Sequence, residues 1–177
     1  MANSILSYES NAWMAVAAYN DLDKSFTPLQ LASFNNRYTV KYQYADDITG
    51  FGGTIFWDTE LNKHVLAIRG TEPLTFKDIL NDLFLGATGV AYDQEVALER
   101  FYSNAISNGV LEADEKIDVT GHSLGGFLTQ VFVQKHEDIV DGAYTYNSPG
   151  LGGVWEDIKS VFDMQSSFDS SKITNII

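Results

Sequence analysis

The sequence predicts an α/β protein with a largely parallel central sheet, helices on both faces and an antiparallel hairpin in its N-terminal part. Three observations carry this. From His64 onward, strand-like runs alternate with segments of helical apolar spacing, the order that builds a parallel sheet through helical crossovers. The run His64 to Ile68 is apolar almost without a break, as a strand buried on both faces requires. Ahead of it, the β-type runs Thr54 to Trp57 and Lys63 to Ile68 are joined only through Asp58 to Asn62, a hairpin connection. A length of 177 residues suits one domain, residues 1–177, with a core of its own.

Composition narrows the function. Hydrophobic residues make up 45% and aromatics 13%, so a filled interior is expected and disorder is not. The formal net charge is −13, spread along the chain, which repels phosphate backbones and anionic head groups and argues against nucleic acid as a partner. A neutral ester or lipid is compatible with such a surface. There are no cysteines, which removes disulfides, thiolate metal sites and a cysteine nucleophile. The first residues hold a short apolar run without a basic flank, which does not read as a cleaved signal peptide, and no run reaches the length of a membrane span.

The first helix is expected from Ser10 to Tyr19, where Trp13, Met14, Ala17 and Ala18 repeat at three and four. Asp21 to Pro28 is loop chemistry, and Pro28 opens a short helix through Phe34. Tyr38, Val40, Tyr42 and Tyr44 alternate as a half-buried strand, and the acids Asp46 and Asp47 after it read as a solvated turn before they read as a calcium site. Arg69, Gly70 and Thr71 end the buried strand at the C-terminal edge of the sheet, where sites form in such folds. A helix starting at Thr75 follows, with Asp78 three residues on and an apolar set wider than one stripe (Phe76, Ile79, Leu80, Leu83, Phe84). It reads either as a core helix or as a lid whose apolar face covers a pocket, with the glycines after it as a hinge; the excess of apolar residues favours the lid. Asp93 to Asn108 is a further helix stopped at Gly109, Gly142 to Tyr146 a strand, Asn147 to Gly150 a turn, Val154 to Met164 a helix and Lys172 to Ile177 a final strand.

The chemistry is concentrated in Lys116 to Val131, KIDVTGHSLGGFLTQV. A strand with Ile117 and Val119 stops at Gly121, Ser123 follows, and Leu124 opens a helix with Phe127, Leu128, Val131 and Phe132 on its apolar side. Gly121, His122, Ser123, Leu124 and Gly125 spell the G-x-S-x-G pattern of a strand-to-helix turn that presents a serine as nucleophile. A serine hydroxyl needs a base to take its proton and must be held where that base reaches it. Such a turn crowds the backbone on both sides of the serine, so glycines at 121 and 125 remove clashing Cβ atoms, and Gly126 is expected to let the helix lie close to the sheet. The helix N-terminus favours negative charge, which makes the Leu124 N–H a candidate oxyanion donor.

Four segments in order, Ala67 to Thr71, Asp78 to Leu83, Gly121 to Gly126 and Asn147 to Gly150, resemble the class 3 lipase family of the α/β-hydrolase fold. The chain is also similar to bacterial secreted lipases. The resemblance implies that Ser123 forms the acyl-enzyme and that Thr71 supplies an oxyanion donor beside Leu124. It implies a lid after Thr71 and esters of lipids, acylglycerols or phospholipids, as substrates, without cofactor or metal. It also implies secretion, here by a non-classical route, with the cytoplasm as the alternative.

The family order is Ser, Asp, His, with the acid just after a strand like Ile173 to Ile177. The base and acid are therefore expected on a complementing C-terminal segment outside this chain. His122 is fixed within the turn, His64 begins a strand at the opposite edge, and His136 sits at the far end of the helix after Ser123. Asp138, Asp141 and Asp157 are acids without a histidine to orient. The isolated chain should be weak or inactive. The alternatives are a non-catalytic lipid- or protein-binding module that keeps the fold, and a hydrolase that acts on an amide or thioester.

Overall fold

The computed structural model describes residues 2–18, 26–70, 88–148 and 170–177. Six strands form one sheet in the order in which they occur along the chain: β1 (Tyr38–Ala45), β2 (Gly52–Asp58), β3 (Lys63–Arg69), β4 (Ile117–His122), β5 (Val140–Tyr146) and β6 (Ile173–Ile176). Pairs β1/β2 and β2/β3 are antiparallel, and every later pair is parallel. Thus the predicted α/β architecture is present, with the antiparallel part a three-stranded meander. The α-helices among the described residues are α1 (Ala2–Ala17), α2 (Pro28–Arg37), α3 (Thr88–Ser107) and α4 (Leu124–Lys135).

Each local choice has a sequence cause. Thr27 caps α2 through a capping box with Gln30, and Pro28 occupies its first turn, where no N–H is needed. The β2–β3 turn closes on Asp58, whose Oδ1 accepts the N–H groups of Glu60 (2.9 Å) and Leu61 (3.2 Å), while Asn62 takes φ 53°. Asp46 plays the same part between β1 and β2: its Oδ1 accepts the Ile48 N–H at 2.9 Å, which holds its carboxyl below the usual range.

Two apolar layers cover the sheet. Leu66 and Ile68 of β3 point into the layer that contains Phe101 of α3 and Phe127, Leu128 and Val131 of α4. Val65 and Ala67, the alternate residues, point into the layer with Met14 and Ala17 of α1 and Phe34 of α2. The unbroken apolar run of β3 is therefore spent on both faces. Every residue of α4 from Leu124 to Gln134 is buried, so this helix is enclosed all round rather than presenting one apolar stripe.

The structure alters three expectations. Helix α1 begins at Ala2 and ends at Ala17, and α2 runs on to Arg37. Strand β1 is not a simple alternation: Val40 pairs with Phe56 but Tyr42 pairs with Ile55, leaving Lys41 as the extra residue of a bulge. As a result Tyr38 packs on Phe34 on one face of the sheet while Tyr42 stacks on Phe101 on the other (centroids 4.7 and 5.0 Å). Four residues apart would otherwise mean the same face. Thirdly, Thr88 and Gly89 belong to α3, which starts well before Asp93. The helix from Thr75, the turn residues Pro149 and Gly150 and the helix Val154 to Met164 lie outside the described residues. No described helix is long and apolar enough to cross a membrane.

Phe127→Ala should lower the unfolding free energy by about 3–5 kcal/mol, because Phe127 is fully buried at the centre of its layer. Ile48→Ala, at a turn residue 95% exposed, should stay within about 0.5 kcal/mol. Urea denaturation of both variants checks this, and equal effects would contradict the packing described.

Candidate active site

The turn from β4 to α4 is built by close backbone approach. A Cβ on Gly121 would stand 2.3 Å from the Gly125 carbonyl oxygen, and one on Gly125 would stand 2.3 Å from the Ile68 carbonyl oxygen. No side-chain rearrangement relieves a clash with backbone, so both positions require glycine. These contacts refine the roles expected of the glycines. Gly125 is the residue that lets α4 touch the sheet, through β3. Gly126 instead faces Ser148, whose Cβ and Oγ would lie 2.6 and 2.8 Å from an added Cβ.

Between the two close contacts, Ser123 takes φ 57° and ψ −124°, a conformation that costs a residue with a Cβ about 1–3 kcal/mol. Three backbone bonds hold it there. Its N–H donates to the Tyr146 carbonyl at 3.0 Å, and its own carbonyl accepts the N–H groups of Gly126 (3.0 Å) and Phe127 (3.2 Å). Although Ser123 occupies the N-cap position of α4, its hydroxyl makes no capping bond, so the oxygen is not spent on the helix. The residue is 8% exposed, more enclosed than a serine standing in the open. Gly126 and Phe127 direct their N–H groups to Ser123, and Leu124 and Gly125 are the first-turn N–H groups outside that pairing.

The wall behind the serine comes from the end of β5. Asn147 turns the chain with φ 47°, a conformation asparagine tolerates, and its N–H reaches the Ile176 carbonyl of β6 at 2.8 Å. Ser148, next in sequence, receives the Gln130 Nε2 at 3.1 Å, and the same amide donates to the Gly126 carbonyl at 3.3 Å. Sequence reasoning passed over Gln130. Its signal was available: a glutamine one helical turn beyond Gly126, on a helix otherwise apolar at that level.

The structure separates the histidines from the serine. His64 stands at the start of β3 and, from the register Val65 to Asp118, level with Ile117, about 20 Å of strand below Ser123. Its Nδ1 is 2.5 Å from the Glu115 carboxylate. His136 caps the C-terminus of α4, about 20 Å along the helix, with Nε2 2.9 Å from Glu99. Only His122 is local. It lies on the Thr120 side of β4, the face on which Thr120 bonds the Asn11 carbonyl of α1, and burial lowers its pKa below 6.5. Asp138 and Asp141 sit with these distant groups at the opposite edge, where Lys63 binds both Asp118 (2.9 Å) and Asp141 (2.8 Å). Thr71 and Asp157 are outside the described residues, so the site is described by Ser123, Leu124, His122 and the glycines.

No protein-family model and no curated protein matches the sequence. Solved structures do match. The Lip2 lipase of Yarrowia lipolytica superimposes with a TM-score of 0.61 at 20% identity, over 98% of this chain and 70% of that one. The fold is that of the fungal lipases. The lipase of Rhizopus microsporus var. chinensis gives a TM-score of 0.60 at 18% identity, over 92% of this chain and 64% of its own. A triacylglycerol lipase whose catalytic centre is a serine protease triad gives 0.59 at 14%, over 92% and 69%. The chain therefore spans about two thirds of the length of the lipases whose fold it shares.

Ser123→Gly should unfold at higher denaturant than Ser123→Ala by about 1 kcal/mol, since glycine adopts this backbone freely and alanine does not. Equal stability in urea would remove the strain argument. His122 has a folded pKa below its unfolded value, so the unfolded state takes up the proton first and stability falls as pH drops below about 6.5. His122→Gln should flatten that part of the stability profile between about pH 7 and 5, compared with the unaltered chain; parallel profiles would contradict the half-buried, neutral imidazole.

Proposed function

We propose that the chain is the nucleophile-bearing part of a serine hydrolase of lipid esters. The observation that carries this is Ser123: a strained residue at a helix N-terminus, its hydroxyl uncommitted to the helix, inside a turn that two obligatory glycines make possible. Strain of this kind persists only where the surrounding structure holds it, and it marks functional positions.

In the reaction Ser123 Oγ attacks the ester carbonyl carbon while a base takes its proton. The carbonyl oxygen becomes an oxyanion, met by the N–H of Leu124 at the N-terminus of α4 and by Thr71. The tetrahedral intermediate collapses, the leaving alcohol departs with the proton, and the acyl group stays on Ser123 until water repeats the sequence. The segment after Thr71 covers the acyl chain as a lid. The fungal lipase fold supports ester chemistry over peptide chemistry, and one neighbour of that fold is a triacylglycerol lipase with a serine protease triad.

The base is the part this chain does not supply. His64 and His136 are each about 20 Å away and engaged by a glutamate, and His122 lies on the α1 side of β4. A histidine and its orienting acid then come from a further segment of a longer protein. The same observation supports a second reading, in which the chain binds lipid without turning it over.

Loss of triad members typically costs several orders of magnitude in rate. The purified chain should therefore hydrolyse p-nitrophenyl butyrate at close to the buffer rate, and Ser123→Ala should change little. Robust turnover removed by Ser123→Ala would show that a base within the chain had been overlooked. For a complemented enzyme, a p-nitrophenyl ester series rising with acyl length separates a lipid esterase from an amide or thioester hydrolase.

A further inference from the structure

A concave site lies between α1 and α2, at the edge of the sheet opposite Ser123. It is an open groove of about 410 Å³, within the range of small-molecule sites. Its position follows from the register: Tyr38, which lines it, pairs with Asp58, and Asp58 with Lys63 at the start of β3.

The apolar side of the groove is lined by Trp13, Phe34 and Tyr38, with Phe26 behind them in the core. Trp13 packs on Phe26 (5.2 Å), Phe26 on Phe34 (5.4 Å) and Phe34 on Tyr38 (4.7 Å). Opposite them Leu29, in the first turn of α2, is 79% exposed. The polar side is built around Arg37, which is paired with two carboxylates. Nε and Nη2 donate to Asp58 at 3.0 and 2.8 Å, Nη1 lies 2.7 Å from Glu60, and the guanidinium carbon is 5.1 Å from the Tyr38 ring centre. Ser10 closes the floor between the Tyr38 hydroxyl and Asp58.

The charge balance decides what fits. Asp58 and Glu60 exceed the single charge of Arg37, and Glu9 on the rim adds an exposed carboxylate. The guanidinium charge is neutralised by Asp58 and outweighed once Glu60 and Glu9 are counted, which disfavours an anion here. A cation is favoured locally by these carboxylates and at long range by the net charge of −13. Aromatic faces beside a carboxylate are the recognition chemistry of organic ammonium ions.

We propose that the α1–α2 groove binds a small organic cation, an ammonium group on an aromatic or short aliphatic body. The ammonium sits between Glu9 and the Trp13 ring, and the body lies against Phe34 and Leu29. The site is independent of Ser123 and of the hydrolase reading.

The test is an NMR titration of the isolated chain with benzyltrimethylammonium, with phenylacetate and 2-phenylethanol as the anionic and neutral counterparts. The expected result is saturable shifts of α1 and α2 amides with a Kd below about 1 mM, and at least about tenfold weaker binding of the two counterparts. Glu9→Gln, at an exposed position that leaves the fold intact, should weaken the cation by about 3–10-fold, and Trp13→Leu, which keeps an apolar side chain, by about 2–5-fold. Shifts that fail to saturate, that scatter over the acidic surface, that the counterparts reproduce, or that Glu9→Gln leaves unchanged would each overturn the proposal.

Discussion

The approach of three backbones at Gly121, Gly125 and Ile68 is the constraint on which this molecule depends. The carbonyl of Gly125 fills the space a Cβ on Gly121 would need, and the carbonyl of Ile68 does the same to Gly125. Helix α4 can then start directly against β3 and β4, its N-terminus aimed out of the sheet edge. Ser123 is squeezed into a left-handed backbone between them, and the bonds from Tyr146, Gly126 and Phe127 keep it there. The enclosed helix that follows contributes the interior of one apolar layer, so the stability that offsets the strain is supplied by the element that creates it.

Several of the described ion pairs gather at the opposite end of the sheet. At the opposite end Lys63 ties β3 to Asp118 and Asp141, and burial pushes the Asp118 carboxyl up while the lysine opposes it. Lys172 donates to the carbonyls of Glu137 (2.6 Å) and Val140 (2.9 Å) in the same region. His64 and His136 are paired with Glu115 and Glu99 there, and the rings of Phe132 and Tyr102 pack on His136 (4.4 and 4.9 Å). Two of the three histidines are thus structural partners of carboxylates at the end of the sheet away from Ser123. In the α1–α2 groove Arg37 is likewise paired with carboxylates, Asp58 and Glu60, while Glu9 on the rim faces solvent.

Local pattern made much of this legible. The apolar run of β3, the hairpin turn at Asp58, the opening of α2 at Pro28 and the glycine-framed serine each express physics confined to a few neighbouring residues. The bulge at Lys41 was not legible, because alternation in Tyr38, Val40, Tyr42 and Tyr44 is the same with or without an inserted residue; only pairing with Phe56 and Ile55 reveals it. The division of labour between Gly125 and Gly126 was hidden for the same reason. Each glycine answers to a distant residue, Ile68 in one case and Ser148 in the other.

By itself, the sequence determined the order of strands and helices, the turn that presents Ser123 and the two-faced burial of β3, since these follow from residue type and spacing along the chain. The tertiary structure decided which residues surround that turn: the Gln130–Ser148 contact beside Gly126, the anchoring of Asn147 on β6, and the distance of His64 and His136 from the serine. Those depend on register and helix length summed over many residues, where an offset of one position moves a side chain to the other face or several ångströms along the edge.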